Sequence, residues 1–350
     1  MPIIISLNIS ILIISSFIIF LLFFFSKNND YLVENPSREI RKIHKRQMIK
    51  IGGISFASLI LLNIFIDNYQ LILILFFSLA FLIIGILSDM IIKFGYYTRL
   101  LLFIVFITIY LIVSNNYISN LEFILLNSIL QVTFFSYLFS LLAYLLLING
   151  TNIIDGLHGL KTGSMIIILI FFIYHLPLNQ TELIIFLTCI VSASFPLFLI
   201  NFFISNIRSG DAGSYYLGFI VGSVAIYINI LGLMNPYHIA CILSYPIIEI
   251  VFSYFRRIAN KKNPFKPDNL HLHTLFFYFI NTKLSQNFIN IENSNRLAST
   301  ILLLLQIIFN FLIIFFAAKT SDYIYFIGFI FINYLLAYYS LHQYKSNNGK

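Results

Sequence analysis

The stretch that decides the fold class is IIISLNISILIISSFIIFLLFFF, residues 3–25, which contains no charged residue. A helix that crosses a bilayer needs about 20 mostly apolar residues. This run is too long for the core of a signal peptide and lacks a small-residue cleavage site. We therefore expect it to be retained as a membrane helix.

The same apolar character extends along the chain. Of its 350 residues, 60% are hydrophobic and 10% are charged, and the mean hydropathy is +0.93. Soluble domains carry about 25% charged residues, so the bilayer is the natural solvent for this chain. We expect an all-α, polytopic integral membrane protein with about 11 transmembrane helices, forming a single domain over residues 1–350. The expected spans are 3–25, 51–66, 70–87, 99–114, 122–148, 162–177, 183–203, 214–232, 238–255, 299–317 and 323–342.

The basic residues predict the orientation of these spans. With this span count, every one of the 21 Lys and Arg residues except Lys319 lies on one side of the membrane. Basic loops stay in the cytoplasm, which places the N-terminus outside and the C-terminus inside an inner (plasma) membrane. The net charge of +8 is then a topology signal, and no nucleic-acid partner is expected. Cys189 and Cys241 lie in apolar runs and predict neither a disulfide nor a metal site.

Two of the inward loops contain most of the polar motifs. In the third, Asn149, Asn152 and Asp155 recur at a helix end and are followed by glycines, a pattern that suits a nucleotide or a metal-bound phosphate; an ordinary turn is the alternative. In the fourth, Gly210 and Asp211 begin a helix whose free N–H groups favour an anion. Asp211 is also suited to Mg²⁺, and a plain helix cap is the alternative.

The other inward loops add charged groups to the same side. Asp89 lies at the end of a span, and His271 and His273 follow Asp268 in a basic loop where phosphate binding fits better than zinc. The first loop carries a basic cluster that ends at Lys50 and precedes paired glycines. Because the three acids and both histidines fall on one side, the sequence predicts Mg²⁺-assisted phosphoryl chemistry there.

These motifs, in this order and on this side, resemble the polyprenyl-phosphate N-acetylhexosamine-1-phosphate transferases (glycosyltransferase family 4) over about residues 34–280. The matching segments are Arg41-Lys42-Ile43-His44 with Lys50-Ile51-Gly52-Gly53, Gly85 to Asp89, the Asn152/Asp155/Gly156/Gly159 loop, Gly210 to Ser214, and Asp268 to His273. The resemblance implies ten or eleven helices around a cytoplasmic cleft. It also implies attack by a lipid phosphate on the β-phosphate of a UDP-sugar, with release of UMP.

The resemblance also implies roles for individual residues. Asp89, Asp155 and Asp211 are the expected catalytic residues, with Asp211 and Asp89 as ligands of Mg²⁺, or of Mn²⁺ as an alternative. The expected substrate-binding residues are Asn152, His271, His273, Lys50, Arg41, His44, Gly210 and Gly213. The expected partners are a UDP-N-acetylhexosamine, polyprenyl phosphate and the lipid bilayer, with a homodimer left open.

Two departures from the family pattern are visible. Ser88 stands where many members have the first of two Asp residues, and it is poorly suited to act as base or nucleophile, which favours direct attack by the lipid phosphate. His158 stands where many have Asp and leaves the sugar or nucleotide specificity open. The alternative functions are a transporter or flippase, for which Glu249 and His175 are mid-span ionisable candidates, and an inactive scaffold.

Overall fold

The computed structural model describes residues 2–26, 33–34, 48–50, 52–91, 94–205, 207–264, 266, 268–284 and 290–348. Within them the regular secondary structure is helical apart from two short antiparallel strands, β1 (Val33–Glu34) and β2 (Met48–Ile49). A 3₁₀ helix covers Gly52–Ile64, and a π-helical turn, Ile200–Ile204, continues α7. The α-helices are α1 Pro2–Ser26, α2 Tyr69–Met90, α3 Tyr96–Ser114, α4 Ile124–Leu130, α5 Thr133–Ile153, α6 Leu160–His175, α7 Thr181–Leu199, α8 Gly210–Ile230, α9 Pro236–Ile242, α10 Ser244–Ala259, α11 Leu272–Leu284, α12 Ile291–Phe316 and α13 Thr320–Asn348.

The expectation of a helical protein with several membrane spans is confirmed. Eight helices in the described ranges are long and apolar enough to cross a bilayer, or nine if α9 and α10, which are bent by 77° relative to each other, form one span. The other two predicted spans correspond to shorter apolar helices, the 3₁₀ helix and α6. At 1.5 Å per residue α6 is only about 24 Å long, against about 30 Å of hydrocarbon. The count of about 11 spans therefore stays a prediction.

Helix α8 is the centre of the fold. Within its span window 89% of the residues are buried, whereas no other span exceeds 50%. Small residues allow the neighbouring backbones to approach closely, as is common between membrane helices. Gly85 of α2 lies against the backbone of Ala212, and Gly53 of the 3₁₀ helix lies against the backbone of Gly213. The first turn of α8 is therefore fixed between two other elements.

Backbone hydrogen bonds attach the segment before α8 to the start of the 3₁₀ helix. The Arg208 N–H donates to the Ile49 carbonyl at 2.8 Å, and the Gly52 N–H donates to the Arg208 carbonyl at 2.9 Å. The Gly53 N–H donates to the Ser209 carbonyl at 3.1 Å. Two loops that are far apart in sequence are in this way held side by side.

A single side chain joins two further loops. The Asn201 carboxamide accepts a hydrogen bond from the Gly159 N–H and donates one to the Ile207 carbonyl at 2.7 Å. Gly159 has a positive φ of 73° and directly precedes α6. The turn before α6 and the turn before α8 are thus held in register by one buried amide.

The structure differs from the sequence-based expectation at several helix boundaries and in one loop. Helix α5 continues past residue 148 because Asn149 and Thr151 satisfy their side chains within the helix, donating to the Leu145 and Leu147 carbonyls. Helix α12 begins at Ile291 instead of residue 299, since the Asn290 side chain accepts from the Asn293 N–H and caps it. The loop expected over 256–298 contains α11.

The close contact at Gly85 gives a test of the packing. We expect Gly85→Ala to lower the free energy of unfolding by about 1–3 kcal/mol, because a methyl group there would overlap the Ala212 backbone. Gly328→Ala in α13 is the matched control, since no atom lies within 4 Å of the added group. Thermal unfolding of both variants in detergent would measure the difference. Equal unfolding temperatures would contradict the packing described above.

Candidate active site

A cavity of about 870 Å³ lies where α2 and α5 end and α8 begins. This volume is typical of small-molecule sites. All five predicted inward loops contribute to its lining, which agrees with their expected place on one side of the membrane. Of the residues expected to form the site, the lining includes Lys50, Asp89, Asn152, Asp155, Gly210, Asp211, His271 and His273.

Among the expected site residues that the structure describes, Gly213 is not part of this lining. Gly213 is buried in α8 and packs against Ser209 and Phe56, so the structure gives it a packing contact instead of a place in the cavity. Arg41 and His44 lie outside the described residues, and their expected role in substrate binding stays a prediction.

Several donors meet on one oxygen of Asp211. Its Oδ2 accepts from the Ser88 hydroxyl at 2.6 Å, from Arg99 at 2.8 Å and from the Tyr215 hydroxyl at 2.9 Å. The same Arg99 nitrogen also contacts the Ser88 and Tyr215 oxygens. Ser88 therefore supports Asp211 as a hydrogen-bond donor, whereas an acid at position 88 would place a second carboxylate against it.

Asp89 binds the beginning of α8. Its carboxylate accepts from the Asp211 and Ala212 N–H groups, both at 3.1 Å. The Gly213 N–H donates a hydrogen bond to the Ser209 carbonyl. The anion expected at this helix start is therefore the Asp89 carboxylate, and two of the N–H groups anticipated for a phosphate are already engaged. Gly210 makes this approach possible, because its φ is +64° and a side chain there would meet both the Lys50 carbonyl and Asp89.

Asp155 lies between two cations. Its Oδ2 accepts from Lys161 at 2.9 Å and is 3.6 Å from an Arg208 nitrogen. The same Arg208 nitrogen donates to the Asp155 carbonyl. Lys161 is almost completely buried and also donates to the Gly210 carbonyl at 3.0 Å and the Ser214 hydroxyl at 2.6 Å. The sequence identified Lys161 only through its charge, because nothing local reveals the partners that surround it.

A buried acid supports His271. Glu249 of α10 is fully buried, and its Oε1 is 2.9 Å from His271 Nδ1 and accepts from the Leu272 N–H at 3.2 Å. The other oxygen accepts from the Tyr334 hydroxyl of α13 at 3.0 Å. Glu249, considered in the sequence as a transport candidate, is thus satisfied by neighbours within the protein.

The second histidine and the preceding acid have different electrostatic surroundings. Burial lowers the pKa of His273 to about 4, so its ring is neutral at pH 7. Its plane is stacked parallel to that of His271, with centroids 5.5 Å apart. Although burial opposes ionisation of Asp268, hydrogen bonds from Arg257 and Arg256 hold its pKa well below the usual range. Asp268 therefore remains charged and fixes both guanidinium groups.

His158 is placed behind the site. It is buried, does not belong to the cavity lining, and its backbone N–H donates to the Asn295 side chain at 2.7 Å. Burial, with Arg208 and Arg296 nearby, lowers the pKa of its imidazole to about 4. The histidine that replaces Asp at this position is therefore neutral at pH 7 and lies behind the cavity.

The residues of the site fit a magnesium ion. Within the described ranges, no group of three or more His, Cys, Asp and Glu residues is arranged to hold a metal. Mg²⁺ does not need such a cage, since it usually keeps several waters and binds through one or two carboxylates plus substrate phosphates. Asp211 suits this mode because its three side-chain donors all meet Oδ2 and its carboxylate lines the cavity.

Comparison with known proteins relates this geometry to a family. Residues 71–229 match the family model described as glycosyl transferase family 4. The matched segment is somewhat less than half of the chain and contains Asp89, Asp155 and Asp211. The resemblance found in the sequence is thereby confirmed.

Three relatives of this chain have names that describe one activity. A Thermotoga maritima protein named undecaprenyl-phosphate alpha-N-acetylglucosaminyl 1-phosphate transferase is 27% identical, covering 75% of this chain and 79% of the relative. A Bacillus subtilis protein named probable undecaprenyl-phosphate N-acetylglucosaminyl 1-phosphate transferase is 28% identical, covering 69% and 68%. An Escherichia coli K12 protein with the same name as the Thermotoga relative is 28% identical over 45% of each chain.

The support that Glu249 gives to His271 provides a second test. We expect Glu249→Gln to lower the free energy of unfolding by about 2 kcal/mol, because it weakens a charge-assisted, buried set of hydrogen bonds. Tyr334→Phe removes only one neutral donor from the same carboxylate and should cost about 1 kcal/mol. Thermal unfolding of both variants in detergent would establish the order. A larger loss for Tyr334→Phe would show that Glu249 does not hold this cluster together.

Proposed function

We propose that this chain transfers N-acetylhexosamine 1-phosphate from a UDP-sugar to polyprenyl phosphate, with N-acetylglucosamine as the first sugar to be tested. UMP is released, and a lipid-diphosphate-sugar is formed for a cell-surface polysaccharide. The names of the relatives support this reaction. We place the protein in the inner (plasma) membrane, with its N-terminus outside, its C-terminus inside and the cavity facing the cytoplasm, on the distribution of basic residues.

The observation that carries the proposal is the composition of the cavity wall. The lining contains the acids with Lys50, Arg99, Arg208 and Arg257, which suit phosphate groups and a divalent ion. It also contains apolar side chains, among them Phe94, Leu100, Phe103, Leu142, Leu145, Leu146 and Ile250. A site that joins a sugar nucleotide to an isoprenoid phosphate needs both kinds of surface in contact.

Asp211 is the residue we expect to hold Mg²⁺, or Mn²⁺ as an alternative. The ion would supply neutralisation of charge on the phosphoryl oxygens. Asp89, expected from the sequence to be a second ligand, binds the α8 N–H groups, so we assign it first to fixing the backbone of Asp211.

The chemistry asks little of a protein base. An oxygen of the lipid phosphate forms a bond to the β-phosphorus of the donor, and the bond from that phosphorus to the bridging oxygen breaks, so that UMP leaves with the electron pair. The second pKa of a phosphate monoester is about 6, so the acceptor is largely ionised at pH 7. Direct attack agrees with Ser88 acting as a donor to Asp211. Cations that line the cavity, Arg208 among them, would stabilise the transferring phosphoryl group.

The proposed reaction can be tested directly with purified protein. We expect UMP and a lipid-linked sugar from radiolabelled UDP-N-acetylhexosamines, undecaprenyl phosphate and Mg²⁺, and no product after chelation of the metal. A panel of UDP-sugars would identify the donor. If protein that remains folded formed neither product with any member of the panel, the transferase proposal would fail and a transporter or scaffold would remain.

The proposed metal ligand gives a sharper version of this test. We expect Asp211→Asn to reduce turnover by at least about 100-fold, because an amide lacks the charge that holds the ion and balances Arg99. Asp67→Asn is the matched control, since Asp67 is exposed between the 3₁₀ helix and α2, at the opposite end of α2 from the site. The rate of UMP release would be measured for both, and full activity of Asp211→Asn would refute the assignment.

A further inference from the structure

Lys161 is a buried charge that the proposed reaction does not use. It lies behind the cavity wall, outside the lining, and only 1% of its side chain is exposed. It is in the first turn of α6, where the helix dipole disfavours a cation. Burial and helix position are thus both unfavourable for this ammonium group, and nearby oxygens must compensate for it.

The compensation comes from three acceptors on two sides. The Asp155 carboxylate accepts at 2.9 Å, and it is the one charged partner. The Gly210 carbonyl and the Ser214 hydroxyl, both near the start of α8, accept at 3.0 Å and 2.6 Å. Lys161 therefore has two separable contacts, one with the charge of Asp155 and one with α8.

The charges on the cavity wall show what the first contact does. Four basic side chains line the cavity, Lys50, Arg99, Arg208 and Arg257, and so do four acidic ones, Asp89, Asp155, Asp211 and Asp268. Added positive charge at such a wall favours a diphosphate. Lys161 adds positive charge from behind the wall, since it pairs with Asp155.

Without Lys161, the negative charge of Asp155 would offset the positive charge of the neighbouring Arg208. An Arg208 nitrogen is 3.6 Å from the Asp155 carboxylate and donates to the Asp155 carbonyl, while the side chain is 21% exposed and lines the cavity. With Lys161 neutralising the carboxylate, Asp155 can hold the guanidinium in place without cancelling its charge.

We propose that Lys161 is a positioning residue that neutralises Asp155 from the protein interior and so lets the positive charge of Arg208 act on the diphosphate of the donor. This inference rests on the proposed function for the identity of the anion. It assigns Asp155, expected from the sequence to be catalytic, to holding Arg208.

Three variants separate this role from simple attachment of α6 to α8. Lys161→Met removes the charge and keeps the length of the side chain. Ser214→Ala removes one contact with α8 and keeps the charge. The double variant Lys161→Met with Asp155→Asn removes both members of the buried pair, so that neither charge is left unpaired.

The readouts are the donor KM and kcat, and the affinity for UDP measured by calorimetry without acceptor. We expect Lys161→Met to raise the donor KM and weaken UDP binding by about tenfold or more, with a smaller change in kcat. The reason is that the Asp155 carboxylate then offsets the charge of Arg208. Ser214→Ala should stay within about twofold of the wild type, whereas the double variant should recover the UDP affinity to within about threefold of the wild type. Its kcat is not part of the test, because Asp155 lines the cavity. Should Lys161→Met not fold, the double variant is the test, because it contains no unpaired buried charge.

Two results would overturn the proposal. One is a donor KM in folded Lys161→Met that equals the wild-type value. The other is a double variant that binds UDP about tenfold more weakly than the wild type, because removal of both charges would then have restored nothing. The failure of the proposed function looks different, since the wild-type protein would then turn over no UDP-sugar, whereas the order of UDP affinities still tests Lys161.

Discussion

The site depends on the hydrogen bonds between the Asp89 carboxylate and the first N–H groups of α8. They join the end of one membrane helix to the beginning of another, in a region where unpaired polar groups are costly. The two helices can meet in this way only because Gly85 and Gly210 leave room for the approach. With the start of α8 fixed, Asp211 is fixed as well, and Ser88, Arg99 and Tyr215 can all reach one of its oxygens.

Much of this arrangement was predictable from sequence, and the reasons are physical. Apolar runs identified the helices because the bilayer demands them, and the skew of Lys and Arg grouped the polar loops on one side before any contact was known. That Asp89, Asp155, Asp211, His271 and His273 line one cavity agrees with the grouping. The family resemblance, which rested on the order of the same motifs, is confirmed by the match over residues 71–229.

The partners of these residues could not be predicted in the same way. Asp89 reads as a free helix-end acid, and only the packing of α2 on α8 shows which N–H groups it binds. From the sequence, Lys161 is interpreted as a charge that sets the membrane topology, and Glu249 as an isolated acid within a span. Their partners come from other parts of the chain and are not visible in the local sequence. Gly213 shares a motif with Asp211, yet one turn of a helix has several faces, and Gly213 lies on the face that packs against Ser209.

The amide of Asn201 has a consequence for how such enzymes can vary. Because its side chain is hydrogen-bonded to the backbone of both Gly159 and Ile207, we expect the two polar loops to change together during evolution. A chimera that exchanged only one loop for that of a distant relative would replace the geometry on one side of this bridge and keep the other. New donor specificities in this fold should therefore arise more readily from coordinated changes in both turns, with position 201 carried along.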